Sequence, residues 1–297
     1  MRQHLAGRHS ALRRPFLFAA AVATSLLCMN GCGGGKDARA TEQAAAQAAP
    51  QGGTPSAIQV KGHSRPARPA GGRVSVLVAP KHVEYGVLAG GLTMSDIAAD
   101  QLKEAAAGAY TKIGDEELLG GTVTDLAGNG EYAIGRWTNG SDSSGGSYNG
   151  NQGRAWAVGT PLVFEPSRDD AYVCRMQAAT HPVAVNGNAA PGVLDSAQAH
   201  MRMVAHSPAA GSSGAPALYL PEYDLSLGYS IGTERVERSI QGATLGYLTN
   251  RVGHYTLASK LVGADARNPY LVVAYTFDTF ATGPVSGLAV LACQRSR

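Results

Sequence analysis

The sequence carries almost nothing with which to hold nucleic acid. Its first 31 residues contain Arg2, Arg8, Arg13 and Arg14 and no acid. Taking those four from 25 basic residues leaves 21 against 22 acidic ones, a net of −1 in place of the formal +3. A near-neutral remainder has no electrostatic footprint for a polyanion, so no nucleic-acid partner is expected. Cysteine is scarce, with four residues at positions 28, 32, 174 and 293. Apolar runs are short. The run Phe16–Met29 covers 14 residues and is too short for a comfortable membrane span. Histidines and carboxylates form no ligand cluster, so neither a metal nor another cofactor is expected.

What is present at the N-terminus is an export signal. A basic start, a short apolar run and small residues after it make residues 1–31 a secretory signal peptide. Arg13-Arg14-Pro15-Phe16-Leu17 also resembles a twin-arginine motif. Asn30-Gly31-Cys32-Gly33-Gly34-Gly35 resembles the lipobox of bacterial lipoproteins. That resemblance implies cleavage before Cys32 and acylation of its thiol. Each buried CH₂ of such a lipid contributes about 0.8 kcal/mol, so a multiply acylated Cys32 holds a protein on a membrane without a spanning helix. The expected location is the cell envelope, anchored to the outer membrane on its periplasmic face or at the cell surface.

Residues 32–72 are rich in Ala, Gln, Gly and Pro and show no periodicity, which predicts a disordered tether. Residues 73–128 are expected to form a small appended subdomain. It has a strand at Arg73–Ala79, a helix capped by Ser95 running to about Ala107, and loops at Gly120-Gly121 and Gly128-Asn129-Gly130.

From residue 129 to 297 the rhythm changes to period two. In Tyr223–Ile231, Tyr223, Leu225, Leu227, Tyr229 and Ile231 fall on one face, and Asp224, Ser226, Gly228 and Ser230 on the other. Eight candidate strands follow that reading: Tyr132–Trp137, Ala155–Gly159, Ala171–Ala178, Leu194–Ala205, Ala217–Ser230, Leu245–Leu261, Tyr270–Phe277 and Val285–Cys293. Asn139-Gly140, Asn149-Gly150 and Asn186-Gly187 supply turn signals. The expected fold is mainly β, an antiparallel eight-stranded β-barrel. An open two-sheet sandwich is the alternative.

Gly135-Arg136-Trp137, followed by Trp156-Ala-Val-Gly-Thr-Pro161, resembles the Gly-Arg-Trp and Val-Val-Gly segments of transferrin-binding-protein-like β-barrel lipoproteins. Gly187, then Gly192-Val-Leu-Asp-Ser-Ala-Gln-Ala, resembles the turn and strand that follow in those barrels. The likeness spans roughly residues 130–230. It departs near the end, where Phe280-Ala-Thr-Gly-Pro stands in place of a Phe-Gly-rich segment. The resemblance implies an envelope lipoprotein that binds an unidentified protein or small molecule, in iron- or haem-related nutrient acquisition, and that is not an enzyme.

Several residues invite chemistry. Gly228-Tyr229-Ser230-Ile231-Gly232 matches the nucleophile elbow of serine hydrolases, but that elbow needs a parallel-sheet strand before the Ser and a helix after it. Only Glu234 and Glu237 lie between Ser230 and His254, the one later histidine, so Ser230 is read as the polar face of a strand and no catalytic residue is assigned. An exported hydrolase using Ser230 is the second functional reading, and a barrel that itself spans the outer membrane the third. His200, His206 and Arg202 share a strand face and are expected in solvent. Met201 and Met203 face the core. His181 is read as a loop residue. Asn139–Gly153 is expected to be a mobile hairpin loop, since Asp142 alone does not make a calcium site. Trp137 and Trp156 flank it as core residues. Cys174 and Cys293 are a possible disulfide in an oxidising compartment, with two free thiols as the alternative.

Overall fold

The computed structural model describes residues 57–79, 93–206, 218–251 and 254–296. The expected signal peptide, Cys32 and most of the expected tether lie outside the described residues. Extended backbone dominates because β-branched and aromatic residues alternate with polar ones and tight Gly turns keep returning the chain.

The first sheet contains β1 (Gln59–Val60), β2 (Arg73–Val78), β3 (Thr93–Ala98), β4 (Leu102–Ala106), β5 (Ala109–Ile113), β6 (Glu116–Gly128), β7 (Tyr132–Asp142), β8 (Ser147–Tyr148) and β9 (Arg154–Gly159). Its order is β3-β2-β9-β7-β6-β5-β4, with β1 parallel to β6 and β8 on β7. The sheet curls into a half-barrel. Tyr110 on β5 meets Trp156 on β9 edge-on at 5.5 Å, although β6 and β7 lie between their strands, and the Trp137 indole N–H donates to the Tyr110 carbonyl at 2.8 Å. Val74, Val76, Ile113, Leu118 and Val123 fill the same hollow.

The second sheet contains β10 (Ala171–Ala179), β11 (Val183–Ala184), β12 (Val193–His206), β13 (Leu218–Ile231), β14 (Glu234–Thr244), β15 (Leu248–Arg251), β16 (Tyr255–Val262), β17 (Tyr270–Asp278) and β18 (Pro284–Ser296). Eight of them form the order β14-β13-β12-β10-β18-β17-β16-β15, and short β11 pairs with β18. This is a nearly closed antiparallel barrel. The first and last strands of this sheet in chain order, β10 and β18, are neighbours, so the open seam falls mid-sequence, between β14 and β15. The bore is filled by the barrel's own core, including Leu225, Leu227, Tyr229, Ile240, Leu271, Tyr275, Phe277 and Leu291. Cys174 and Cys293 face each other directly across β10 and β18 and are bonded, S–S 2.01 Å.

Both sheets belong to one compact unit, Gly52–Arg297. Leu77, Ile134, Ala155 and Ala157 of the first sheet pack on the outer face of the barrel at Ala258, Val262, Val272, Ala274, Leu288 and Val290. Central strand β17 is therefore buried on both faces.

The barrel has eight staves, but not the eight expected. Tyr132–Trp137 and Ala155–Gly159 belong to the first sheet as β7 and β9. The expected strand Leu245–Leu261 is two, β15 and β16. The missing stave is β14, whose polar run Glu-Arg-Val-Glu-Arg-Ser hides its period. Residues 57–72, which composition assigns to the tether, lie against the first sheet: Lys61 N–H donates to Val123 O at 2.8 Å and Ala67 is buried. The expected helix from Ser95 is instead β3, a 3₁₀ turn at Ala99–Gln101 and β4. Pairing with β2 and a two-residue turn at Ala107-Gly108 override the alanine-rich propensity there. Asn139-Gly140 is no hairpin tip but lies within β7, where Gly120 and Gly121 of β6 pass too close for any side chain on Gly140.

One packing device recurs in both sheets. Gly135 lies opposite Trp156, and a Cβ there would run into the indole ring. Gly287 lies opposite Tyr275, and a Cβ there would meet the phenol ring and its hydroxyl. In each case the glycine lets a large ring lie flat across its strand.

Candidate functional site

Ser230 sits on β13 within an antiparallel sheet, with β12 and β14 on either side. Its hydroxyl donates straight to Asp195 at 2.7 Å, with no histidine between. The strand–turn–helix that exposes a nucleophile is absent around it. His200, Arg202 and His206 lie on the outer face of β12. Arg202 pairs with Asp224 at 2.6 Å, and His206 Nε2 lies 2.9 Å from a Glu222 carboxylate oxygen. Arg202 and then the Gly242 N–H hold the Asp224 carboxyl below its usual range. Met201 is in the barrel core and Met203 half-buried. Trp137 and Trp156 are fully buried. No group of three or more His, Cys, Asp or Glu side chains gathers as a metal site among the described residues.

Asn139–Gly153 is tied down from its base. The Asp142 carboxylate accepts from Ser144 N–H at 3.1 Å, Ser144 Oγ at 3.0 Å, Gly146 N–H at 2.7 Å and the Tyr148 hydroxyl. Arg154 approaches it at 3.4 Å while forking onto Glu116 at 2.7 and 3.2 Å. Burial would raise the Asp142 carboxyl, but Tyr148, the Gly146 N–H, Ser144 and Arg154 outweigh it and bring it down to about 2. The group is a hub holding its own turn, and its lone pairs are spent inside the chain.

The cluster that sequence spacing did not reveal joins the two sheets. Asp125 lies at a bulge of β6 with φ 55°, a conformation that costs a non-glycine residue energy. Its carboxylate accepts from Arg136 Nε at 2.7 Å and from the His181 backbone N–H at 3.0 Å, and sits 2.9 Å from His181 Nδ1. Burial pushes this carboxyl up, and Arg136 and then His181 more than offset it, so it titrates below the usual range. His181 keeps its ring half exposed, 53% against 4% for Asp125. With Nδ1 against the Asp125 carboxylate, a neutral ring carries its proton on that nitrogen.

Beside that ring the barrel wall forks. β10 pairs with β12 only as far as Arg175 opposite Gln198, and the two strands then separate. A groove of about 220 Å³ occupies the fork, lined by Met176, Thr180, His181 and Val193 among others. Met176 and Val193 are exposed apolar side chains. The groove offers a small apolar contact and one imidazole hydrogen bond. No hydroxyl or thiol among the described residues bonds the His181 ring.

Inside the barrel, the hydroxyls of Tyr229 and Tyr275 are buried without a partner. Burial raises both phenols, which keeps them neutral. Their rings stack at 6.3 Å and Phe277 packs on both, and the buried Ser259 hydroxyl is a further polar point without a partner in the filled bore.

Compared with known proteins, the chain matches no family model, no curated sequence and no solved structure.

Proposed function

We propose that this chain is an exported, lipid-anchored binding protein whose β-barrel body recognises a protein or small ligand from its outer surface, at the fork beside His181. The observation that carries the reading is the filled bore. Side chains such as Leu225, Leu227, Tyr229, Tyr275, Phe277 and Leu291 occupy the space that a pore or ligand cup would need. Recognition then falls to the outside, where the fork is the place at which paired strands separate and apolar groups meet a polarised imidazole.

Two further features support it. The Cys174–Cys293 bond belongs to an oxidising compartment, which agrees with the export signal. The outward residues of β12 and β13 include Gln198, His200, Arg202 and Asp224, a face that lipid would not tolerate, so the barrel stands in water and the membrane is reached through Cys32.

Mass spectrometry of the mature N-terminal peptide tests the anchor, with acylated Cys32 as the expected result. An unmodified Cys32, or residues retained before it, sinks that half of the reading. Conductance steps from the purified full chain in planar bilayers would replace it with a pore. Ester turnover lost in Ser230→Ala would replace it with the hydrolase. The nutrient role implied by the family resemblance is probed by titrating haem into the full chain; a saturable Soret shift lost in His181→Ala assigns the fork to a small ligand.

A further inference from the structure

The barrel seam leaves one long strand with a free side. β14 is the end of its sheet order, hydrogen-bonded to β13 and, among the described residues, to no strand beyond it. The β13–β14 hairpin turns on two residues, Gly232 and Thr233, with Ile231 opposite Glu234. In such a hairpin the closing pair exchanges both of its hydrogen bonds, and the pattern then alternates. Val236 and Arg238 therefore bond to β13. Arg235, Glu237 and Ser239 turn their backbone N–H and C=O groups to the open side. The side chains of Arg235 and Glu237 are exposed on the outer face, while Val236 is buried.

Charges along an edge strand normally forbid pairing with another edge. Here their order matters. An antiparallel pair formed by two copies of β14 brings outward-facing backbone groups opposite each other only when the two-fold axis passes through a residue. An axis at Arg235 sets Arg235 against itself, and an axis at Glu237 sets Glu237 against itself. An axis at Val236 sets Arg235 of each copy against Glu237 of the other, with Val236 against Val236 between them. In that one register both charged hydrogen-bonding pairs on the outer face join opposite charges, and Ser239 falls opposite Thr233 of the partner's turn. Glu234 and Arg238 remain engaged within their own chain, Glu234 with the Ala281 and Thr282 N–H groups and Arg238 with the Asp278 carbonyl.

We infer that the β14 edge is a docking surface for a second copy of this chain, joined edge to edge about a two-fold axis at Val236. The same charges that repel other strand edges select this partner and this register. The inference does not depend on the fork or on the lipid anchor.

Sedimentation velocity on the chain from Gly33 to Arg297, which keeps the whole folded unit, tests it. The parent protein should show a concentration-dependent dimer. Arg235→Glu and Glu237→Arg each place like charges opposite one another twice, and each should weaken the dimer by roughly tenfold. The double variant R235E/E237R exchanges the signs and should restore it. A monomer at every concentration up to about 1 mM overturns the inference. So do single variants that dimerise like the parent, or a double variant that stays as weak as the singles. Unchanged thermal unfolding in all three variants keeps the readout on association.

Discussion

Replacing Cys174 and Cys293 with alanine should cost this protein a large part of its stability. The bond spans 119 residues of sequence, and nearly the whole barrel lies inside that loop. In the chain-entropy account, opening a loop of that length releases about 5 kcal/mol of denatured-state entropy at 25 °C. Native bonds in small exported domains measure about 2–5 kcal/mol when removed. The two alanines fit sites where the sulfurs are buried, so a small packing loss adds to the entropic one. Urea titration at pH 7 reads the difference. The variant should lose about 3–5 kcal/mol, and its m-value should rise because the uncrosslinked denatured chain exposes more surface. For a unit of this size each kcal/mol moves Tm by about 2–4 °C, so Tm should fall by roughly 6–20 °C. A loss under about 1 kcal/mol would refute the reasoning, because it would mean the denatured chain gains almost no freedom when the crosslink goes.

Other perturbations read other parts of the fold. Gly135→Ala should destabilise by about 1–3 kcal/mol in chemical denaturation, because a methyl there must displace the buried Trp156 ring. The Asp142 carboxyl, at about 2 in the folded chain against an ordinary 3.8, contributes stability that is fully present above about pH 5 and is lost as pH falls through 2. Asp142→Asn should therefore flatten the fall in unfolding free energy between pH 5 and pH 2 by about 2 kcal/mol, read from denaturation curves across that window. Asp125→Ala strands buried Arg136 and should cost about 3–5 kcal/mol. His181→Ala, at a half-exposed ring, should cost under about 1 kcal/mol by the same measurement.

The legible part of the fold was the part whose pattern is local. Tyr223–Ile231 alternates cleanly because one face of β13 looks into the barrel and the other into water. β17 gave half its message: Leu271, Val273, Tyr275 and Phe277 mark the inner face, but the equally apolar Val272 and Ala274 were the sign that something covers the outer one. β14 escaped because Glu234 and Arg238 occupy inward positions at its start, where they are bonded to the turn and carbonyl at Asp278–Thr282 instead of to solvent. The Asp125–His181 pair bridges 56 residues and two sheets. No spacing rule joins a carboxylate at a bulge to a histidine before a proline, since the contact exists only once the sheets have packed. The cysteine pair lies between these cases: two thiols in a chain read as exported suggest a bond, but only the β10–β18 register brings them opposite.

That register also sets an order of events. β10 waits at the front of the barrel sequence for a strand that is made last, so the ring stays undone until the C-terminus arrives. A chain leaving a ribosome or a translocon from its N-terminus would carry an unfinished sheet through most of its passage. On the proposed export route, oxidation would wait until β18 reached the oxidising compartment, because Cys293 lies on that strand.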